Sequence, residues 1–376
     1  MKQHADSGVL FMLKFDSSTE FPMPRILIIA KRNDMHSDAV SWGLNALGHE
    51  AVVWYWEDFP KNDSAGLWIS NSEMDAFVLK TGFTRCSIPF DVIWVRRSGA
   101  PVPVPDSHPD DVAVITTEAN RFLNGILPLL GHSQTRWVNH PDAEFRGRDK
   151  VHQLCTARTL GFRVPETFIG NDIGAVREFF RRHPAGIVHK SFAPHAWDNE
   201  DGSSTVSRTS QITAVHLERE FAVRGCPAIY QAKVEKKHEL RITVIGDSVF
   251  AAVIDSQRDG PTIDWRHEGG AGRTNLTRTE LAPEMAERCR ALCRQLGLAF
   301  GCIDLIVTPS DEVVFLEINC AGQFLFKELV DPQLPMLDRF CRFLIHGDES
   351  LAGQDEPTLR FADFRASLAP AVHEVQ

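Results

Sequence analysis

No apolar run in this 376-residue chain approaches the roughly 18 residues that a membrane-spanning helix needs. No CxxC pair occurs among its eight cysteines. The first absence excludes an integral helical membrane protein, and the second, at this length, excludes a disulfide scaffold. The N-terminus has no basic stretch leading into an apolar signal core, so reduced thiols in a cytoplasmic protein are expected. Cys289 and Cys293, four apart on an apolar helix face, read as buried packing, because no His or Cys pair lies at zinc spacing. Positive charge is also in deficit. Against 50 Asp and Glu stand 40 Lys and Arg, a net charge of −10, which excludes nucleic-acid binding through overall charge but not a local basic cleft. Nothing matches a Walker loop, a GxSxG elbow or an HExxH zinc motif.

What is present is enough apolar residue, 43%, to fill real cores in two or three domains. Residues 1–22 show no sustained period and are expected to be an unstructured extension, with Met23 the natural start. The run Ile26 to Ala30 reads as a buried parallel strand, Ser37 to Leu47 as a helix closed by Gly48, and Glu50 to Tyr55 as a strand. With the strand Asp91 to Val95 and a helix from Asp110 to Leu130, residues 23–139 form an N-terminal α/β domain. A second unit, 140–228, carries a helix capped by Asp149, with Val151, Leu154, Cys155 and Ala157 as its apolar face. The helix Ile173 to Arg182 follows, between strands at Val164–Thr167 and Gly186–Lys190. A third unit, 229–348, holds the strands Ala228–Val234, Glu239–Gly246 and Val249–Asp255 and a helix from Pro283 to Leu296. Residues 349–376 lack a strong pattern and are expected to be a peripheral tail. The fold class is therefore mixed α/β and α+β.

Chemistry concentrates between Asp304 and Asn319. Two β-branched runs flank Pro309-Ser310-Asp311-Glu312, the signature of a hairpin. With Ser310 and Asp311 at the turn, Asp304 lies opposite Glu317, and Asn319, two further on, shares the face of Glu317. Carboxylates that close repel each other unless a cation joins them. Two carboxylates and an amide oxygen, without His or Cys, form a hard-ligand set suited to Mg²⁺. The competing reading is a pair of strand-edge acids facing water.

A second constellation places Glu239, Arg241 and Thr243 on one side of a strand. An arginine beside a Mg²⁺ site suits a phosphoryl group, and Glu239 can accept from ribose hydroxyls. Here the competing reading is a solvated charge face on an edge strand. Lys190, ending an apolar strand, and Lys150, opening a helix, are candidate phosphate contacts, as is the cluster Gly269-Gly270-Ala271-Gly272.

Taken together, these residues resemble the ATP-grasp superfamily over most of residues 23 to 346. The features in order are Lys150 before Gln153-Leu154 and Ala157, Gly161 to Thr167, Lys190, Gln231 to Val234, Glu239-Leu-Arg241, and finally Asp304, Glu317 and Asn319. Three further segments look like the ligases that cyclise ribosomal peptides of the graspetide (microviridin) type: His36 to Glu50, Trp94 to Arg97, and Ile254 to Gln257 with Asp264-Trp265-Arg266. The resemblance implies a three-domain ATP-grasp architecture with ATP between the central and C-terminal domains. It implies that Lys150 and Lys190 contact phosphates, that Gln231, Lys233 and Val234 lie along adenine, and that Glu239 holds the ribose. It further implies Mg²⁺ on Asp304, Glu317 and Asn319, and Arg241 on the transferring phosphoryl group. Arg266 is the candidate for the peptide's acidic side chain, with Arg96, Arg97 and Arg273 lining the cleft. Such ligases often carry Pro after the metal-binding Asn, whereas this chain has Cys320-Ala321-Gly322-Gln323.

The activity so implied is ATP-dependent phosphorylation of an Asp or Glu side chain in a precursor peptide. A Ser or Thr hydroxyl or a Lys amine of the same peptide then attacks, giving an ester or amide macrocycle. The implied partners are a peptide with a leader and an acidic core, and a second copy of the chain as a homodimer, with neither nucleic acid nor membrane. One alternative is a ligase that adds a free amino acid to a peptide or small carboxylate. The other is a catalytically idle nucleotide-binding module, against which intact Asp304, Glu317, Asn319 and Arg241 argue.

Overall fold

The computed structural model describes residues 23–368 apart from 70, 72–75, 82–83, 87–88, 194, 200, 258–275 and 349–356. The extension 1–22, Asp264-Trp265-Arg266, the glycine cluster 269–272 and Arg273 lie outside the described residues.

β1 (Ile26–Ala30) is apolar at every position and buried at every position, as a central parallel strand must be. Asp34 then caps α1 (Met35–Ala46), its carboxylate accepting from the amides of His36 and Ser37. Beyond the helix, Gly48 takes a left-handed φ of 82° that a side chain would resist. β2 (Ala51–Tyr55) returns parallel to β1. A separate antiparallel sheet of β3 (Ser64–Trp68), β4 (Ala76–Thr81) and β5 (Thr84–Cys86) follows, which no sequence pattern announced. β6 (Phe90–Val95), α2 (Val112–Ile126) and β7 (Gly131–Val138) complete a parallel sheet of order β2-β1-β6-β7.

α3 (Pro141–Gly147) and α4 (Lys150–Thr159) come next, and they depart from the expected domain boundary. Ala143 and Ala157 pack into the core of the C-terminal sheet, so these helices belong to that body rather than to the central unit. Asp149 caps α4 as expected, accepting from His152 N. Of the expected apolar face, Ala157 is buried and Leu154 packs against that core, but Gln153 and Thr156 share the buried side, whereas Val151 and Cys155 are exposed. Gln153 docks the helix through backbone hydrogen bonds beside this apolar contact.

The central unit contains β8 (Thr167–Gly170), α5 (Ile173–Arg182), β9 (Ile187–Lys190), a hairpin of β10 (Ala196–Asp198) and β11 (Ser204–Val206), and β12 (Ser210–Ile212). It ends with α6 (Ala214–Glu218), α7 (Glu220–Gly225) and β13 (Ala228–Ala232). β13 pairs with β8 and β9 in the sheet β12-β9-β13-β8. The expectation that this strand opens the third unit is therefore corrected, because its hydrogen-bond partners lie in the second. A compact core of its own, including Val176, Phe179, Ile187 and Tyr230, holds this sheet together.

The last sheet, β16-β15-β14-β17-β18, is antiparallel throughout. Its strands are β14 (His238–Ile245), β15 (Ser248–Ile254), β16 (Leu276–Thr279), β17 (Phe300–Val307) and β18 (Val313–Asn319). α8 (Pro283–Leu296) covers one face with the buried Cys289, Leu292, Cys293 and Leu296, the packing role expected of the two cysteines. On the opposite face lie α9 (Phe326–Val330), α10 (Met336–His346) and α11 (Phe361–Ser367). Leu359, Phe361 and Phe364 are buried there, so this part of the expected peripheral tail is core, and aromatic burial is what anchors it. The same core contains Ile28 and Trp94 of the first sheet and Phe300 and Phe340 of the third unit, making the two units one body.

Candidate active site

Alternation along β17 sends Ile303, Leu305 and Val307 to the α8 side, and Asp304 and Ile306 to the other. In β18 strict alternation would put Phe315 and Glu317 on the same face, one wanting a core and the other a charge partner. The conflict is resolved by a β-bulge. Cys302, Ile303 and Asp304 pair with Asn319, Ile318 and Glu317, but Leu305 pairs with Phe315, leaving Leu316 as the extra residue. Phe315 is thereby fully buried against α8 while Leu316, Glu317 and Asn319 line a cavity. The predicted Asp304–Glu317 pairing is present, though the turn itself sits half a residue earlier than Ser310-Asp311 requires, and the bulge makes up the difference.

Arg241 lies directly across from Asp304 on β14. Its Nη1 donates to both Asp304 oxygens at 2.8 Å, and its Nη2 donates to Gln323 O at 3.1 Å. Burial alone would lower the guanidinium pKa, yet the Asp304 carboxylate holds it above its ordinary value. Arg241 Nε is buried without a hydrogen-bond partner. Asn319 Nδ2 donates to Asp304 Oδ2 at 3.1 Å and to Glu317 Oε1 at 3.2 Å, and Lys150 Nζ pairs with Glu317 Oε2 at 2.6 Å. With Asp304 6% exposed and β17 interior to the sheet, a pair of edge acids facing water is ruled out.

Nine predicted residues line one cavity of about 700 Å³: Lys150, Lys190, Gln231, Lys233, Val234, Glu239, Asp304, Glu317 and Asn319. It lies between the central sheet and the C-terminal sheet, with the linker from Lys233 to Lys236 along its wall. Glu239 Oε1 accepts from Lys236 Nζ at 2.7 Å and from Ser256 Oγ at 3.0 Å. Burial raises its pKa, with Lys236 opposing. β14 lies between two strands and Glu239 is buried, so a solvated edge face does not describe it. Gln231 donates to Thr167 Oγ1 at 3.1 Å, while its Oε1 is buried without a hydrogen-bond partner. Lys233 Nζ donates to Gln211 Oε1 at 3.2 Å. Arg266 lies outside the described residues.

The donor set fits Mg²⁺. A single amide nitrogen reaches both carboxylates, so one position between Asp304 and Glu317 is within reach of both, and a half-turn of the Asn319 amide presents oxygen there instead. Among the described residues no cluster of three or more His, Cys, Asp or Glu forms a rival metal site. The orphaned Gln231 Oε1 likewise suits a ligand that brings hydrogen-bond donors, as an adenine amine does.

The backbone just after the metal-ligand candidates leaves the sheet, and buried side chains from earlier in the chain satisfy it. Gln153 pairs with Ile318 through both its ends, at 2.9 and 3.1 Å, covering the open edge of β18. Asn139 Nδ2 donates to Cys320 O at 3.0 Å. Arg96, held by Asp34 at 3.3 Å, donates to Ala321 O and Gly322 O, and His36 Nε2 accepts from Phe324 N at 3.0 Å. Arg96 was expected to line the cleft. It is instead 1% exposed, a structural clamp whose pKa burial lowers to about 10, while Arg97 reaches Ala321 O at 3.4 Å. Gln153, Lys236, Ser256 and the fully buried Lys327 escaped assignment, since only the adjacent charges Lys327 and Glu328 inside the otherwise apolar run Phe324 to Val330 marked the last.

No protein-family model matches the chain, and no curated protein matches it in sequence. Solved structures do. A Chryseobacterium gregarium RiPP-associated ATP-grasp ligase, in complex with ADP and a leader and core peptide, is 27% identical, with a TM-score of 0.77 over 86% of this chain and 96% of that one. The macrocyclase MdnC of Microcystis aeruginosa MRC, bound with precursor peptide MdnA, is 25% identical, with a TM-score of 0.75 over 85% and 98%. The macrocyclase MdnB of the same organism is 24% identical, with a TM-score of 0.70 over 86% and 100%. The chain has the fold of the ATP-grasp ligases.

Proposed function

We propose that this protein is an ADP-forming ATP-grasp ligase that closes ester or amide rings in a ribosomal precursor peptide. The observation that carries the reading is the convergence of Asp304, Glu317, Asn319 and Arg241 beside a cavity walled by Lys150, Lys190 and the Gln231–Glu235 segment. The two neighbours with peptides bound, a macrocyclase and a RiPP-associated ligase, support the substrate class.

A carboxylate resists attack because oxide is a prohibitive leaving group. Its oxygen takes the γ-phosphoryl group of ATP, releasing ADP, and a Ser or Thr hydroxyl or a Lys amine then attacks the acyl phosphate and releases phosphate. The peptide thus loses one water per ring. Asp304, Glu317 and Asn319 would hold Mg²⁺, which would neutralise phosphate charge. Arg241, gripped by Asp304, offers donors to the transferring group, and Lys150 and Lys190 add charge along the phosphates. Glu239 accepts from the ribose, and Gln231, Lys233 and Val234 border the adenine. Arg266 is assigned to the peptide's acidic side chain. The reading further places the enzyme in the cytoplasm as a homodimer, engaging a leader and an acidic core, with neither nucleic acid nor membrane. Among the described residues no helix is long and apolar enough to cross a membrane.

The test is mass spectrometry of a precursor peptide with an acidic, Thr-rich core after incubation with enzyme, ATP and Mg²⁺. Loss of one water per ring with ADP formed is expected. A mass gain that requires an added amino acid would point to the alternative ligase, and AMP as product would reject the acyl-phosphate scheme.

A further inference from the structure

Lys327 is 0% exposed, and its ammonium is spent on Arg241 and its neighbours. Nζ donates to Arg241 O at 3.3 Å and to Thr243 Oγ1. Thr243 Oγ1 in turn meets Cys302 Sγ at 3.8 Å, and Cys302 Sγ donates to Gln323 O at 3.8 Å. Gln323 O is also the acceptor of Arg241 Nη2. The contacts close a ring: Lys327 holds the backbone of Arg241 directly and its guanidinium through Thr243, Cys302 and Gln323. Gly322 lets the turn lie this close, for a Cβ there would come within 2.5 Å of Cys302 Cβ and 3.0 Å of Arg241 Nη2.

We infer that Lys327 is a positioning residue for Arg241, a second buried cation that fixes the guanidinium and adds its charge behind the transferring phosphoryl group. The inference rests on the role proposed above for Arg241. A buried ammonium that serves only packing would be poorly chosen, because an apolar side chain of the same length avoids its desolvation. The groups facing Lys327 are Arg241 and Thr243 on β14 and Cys302 and Asp304 on β17, while its neighbour Glu328 turns away to the amides of Leu337 and Phe361. Burial lowers the Lys327 pKa to about 7, so its charge is lost as the pH rises past neutrality.

The experiment is calorimetric titration of the full chain with two probes in the presence of Mg²⁺: ADP, and the non-hydrolysable analogue AMPPNP, which carries the γ-phosphoryl group. Lys327→Met replaces the ammonium with an apolar chain of similar length. At about pH 6.5 it should bind AMPPNP about fivefold or more weakly than the parent, with ADP binding within about twofold. Raising the pH to about 8.5 should weaken AMPPNP binding by the parent toward the level of the variant, whose own affinity relative to ADP stays flat. Thr243→Val keeps the charge and cuts the ring, and it too should lose affinity for AMPPNP selectively. Unchanged AMPPNP binding in either variant, or a parent whose preference for AMPPNP ignores pH, overturns the inference. Failure of the parent to bind either nucleotide overturns the proposed function, and this inference with it.

Discussion

His36 accepts at Nε2 from the amides of Phe324 at 3.0 Å and Leu325 at 3.4 Å, a job that only the neutral imidazole can do. Burial, and then the charge of Arg96, push its pKa down to about 3. An unfolded histidine titrates near about 6.5, so between those values the native state binds fewer protons than the unfolded one. Stability is therefore full above the unfolded value and falls as the pH drops toward the folded one. Urea unfolding should show the parent losing about 2 kcal/mol between about pH 6.5 and pH 5 that His36→Gln does not lose. Equal slopes in the two proteins would remove His36 from the clamp. No local pattern reveals this role, since its partner amide lies 288 residues downstream. Asp304, Glu317 and Asn319 were legible because a hairpin brings them together within a short stretch. Lys327 was not, because a Lys-Glu pair inside an apolar run says nothing about what either residue meets.

At the scale of elements, the β17–β18 hairpin shows what a sequence pattern carries and where it stops. Counting from the turn gives the correct Asp304–Glu317 pair, yet the real register needs one extra residue at Leu316. Only the packing demand of Phe315, fully buried against α8, explains why the bulge falls there. Gln153 is the counterpart on the open edge of β18, where an exposed ladder would otherwise begin. Gln153→Leu leaves both Ile318 backbone groups buried without partners and should cost about 3 kcal/mol or more in urea unfolding. A loss under about 1 kcal/mol would mean that water or another group replaces the amide. The misplaced strand β13 teaches the same lesson. Its apolar run was readable, but membership of a sheet is set by hydrogen-bond partners far away in sequence.

For the whole molecule, the decisive feature is that the first and third units share one core while the central sheet keeps its own. Ile28 and Trp94 face Phe300 and Phe340 across what the sequence read as two domains, and composition cannot distinguish shared burial from separate burial. A fragment spanning residues 23–139 should therefore fail to fold alone, giving poorly dispersed amide resonances; a well-dispersed spectrum would show two independent cores. The same union holds the hairpin still through Arg96, Asn139 and His36, so that a cavity forms against the central sheet at a fixed place. The central claim is that Asp304, Glu317 and Asn319 grip a divalent ion beside a bound nucleotide. Its most direct test is a crystal grown with ADP and Mn²⁺, an anomalous stand-in for Mg²⁺. The expected result is an anomalous peak coordinated by those three side chains, with ADP in the cavity between the two sheets. Nucleotide bound there with Mn²⁺ elsewhere, or no ordered nucleotide in that cavity, would contradict it.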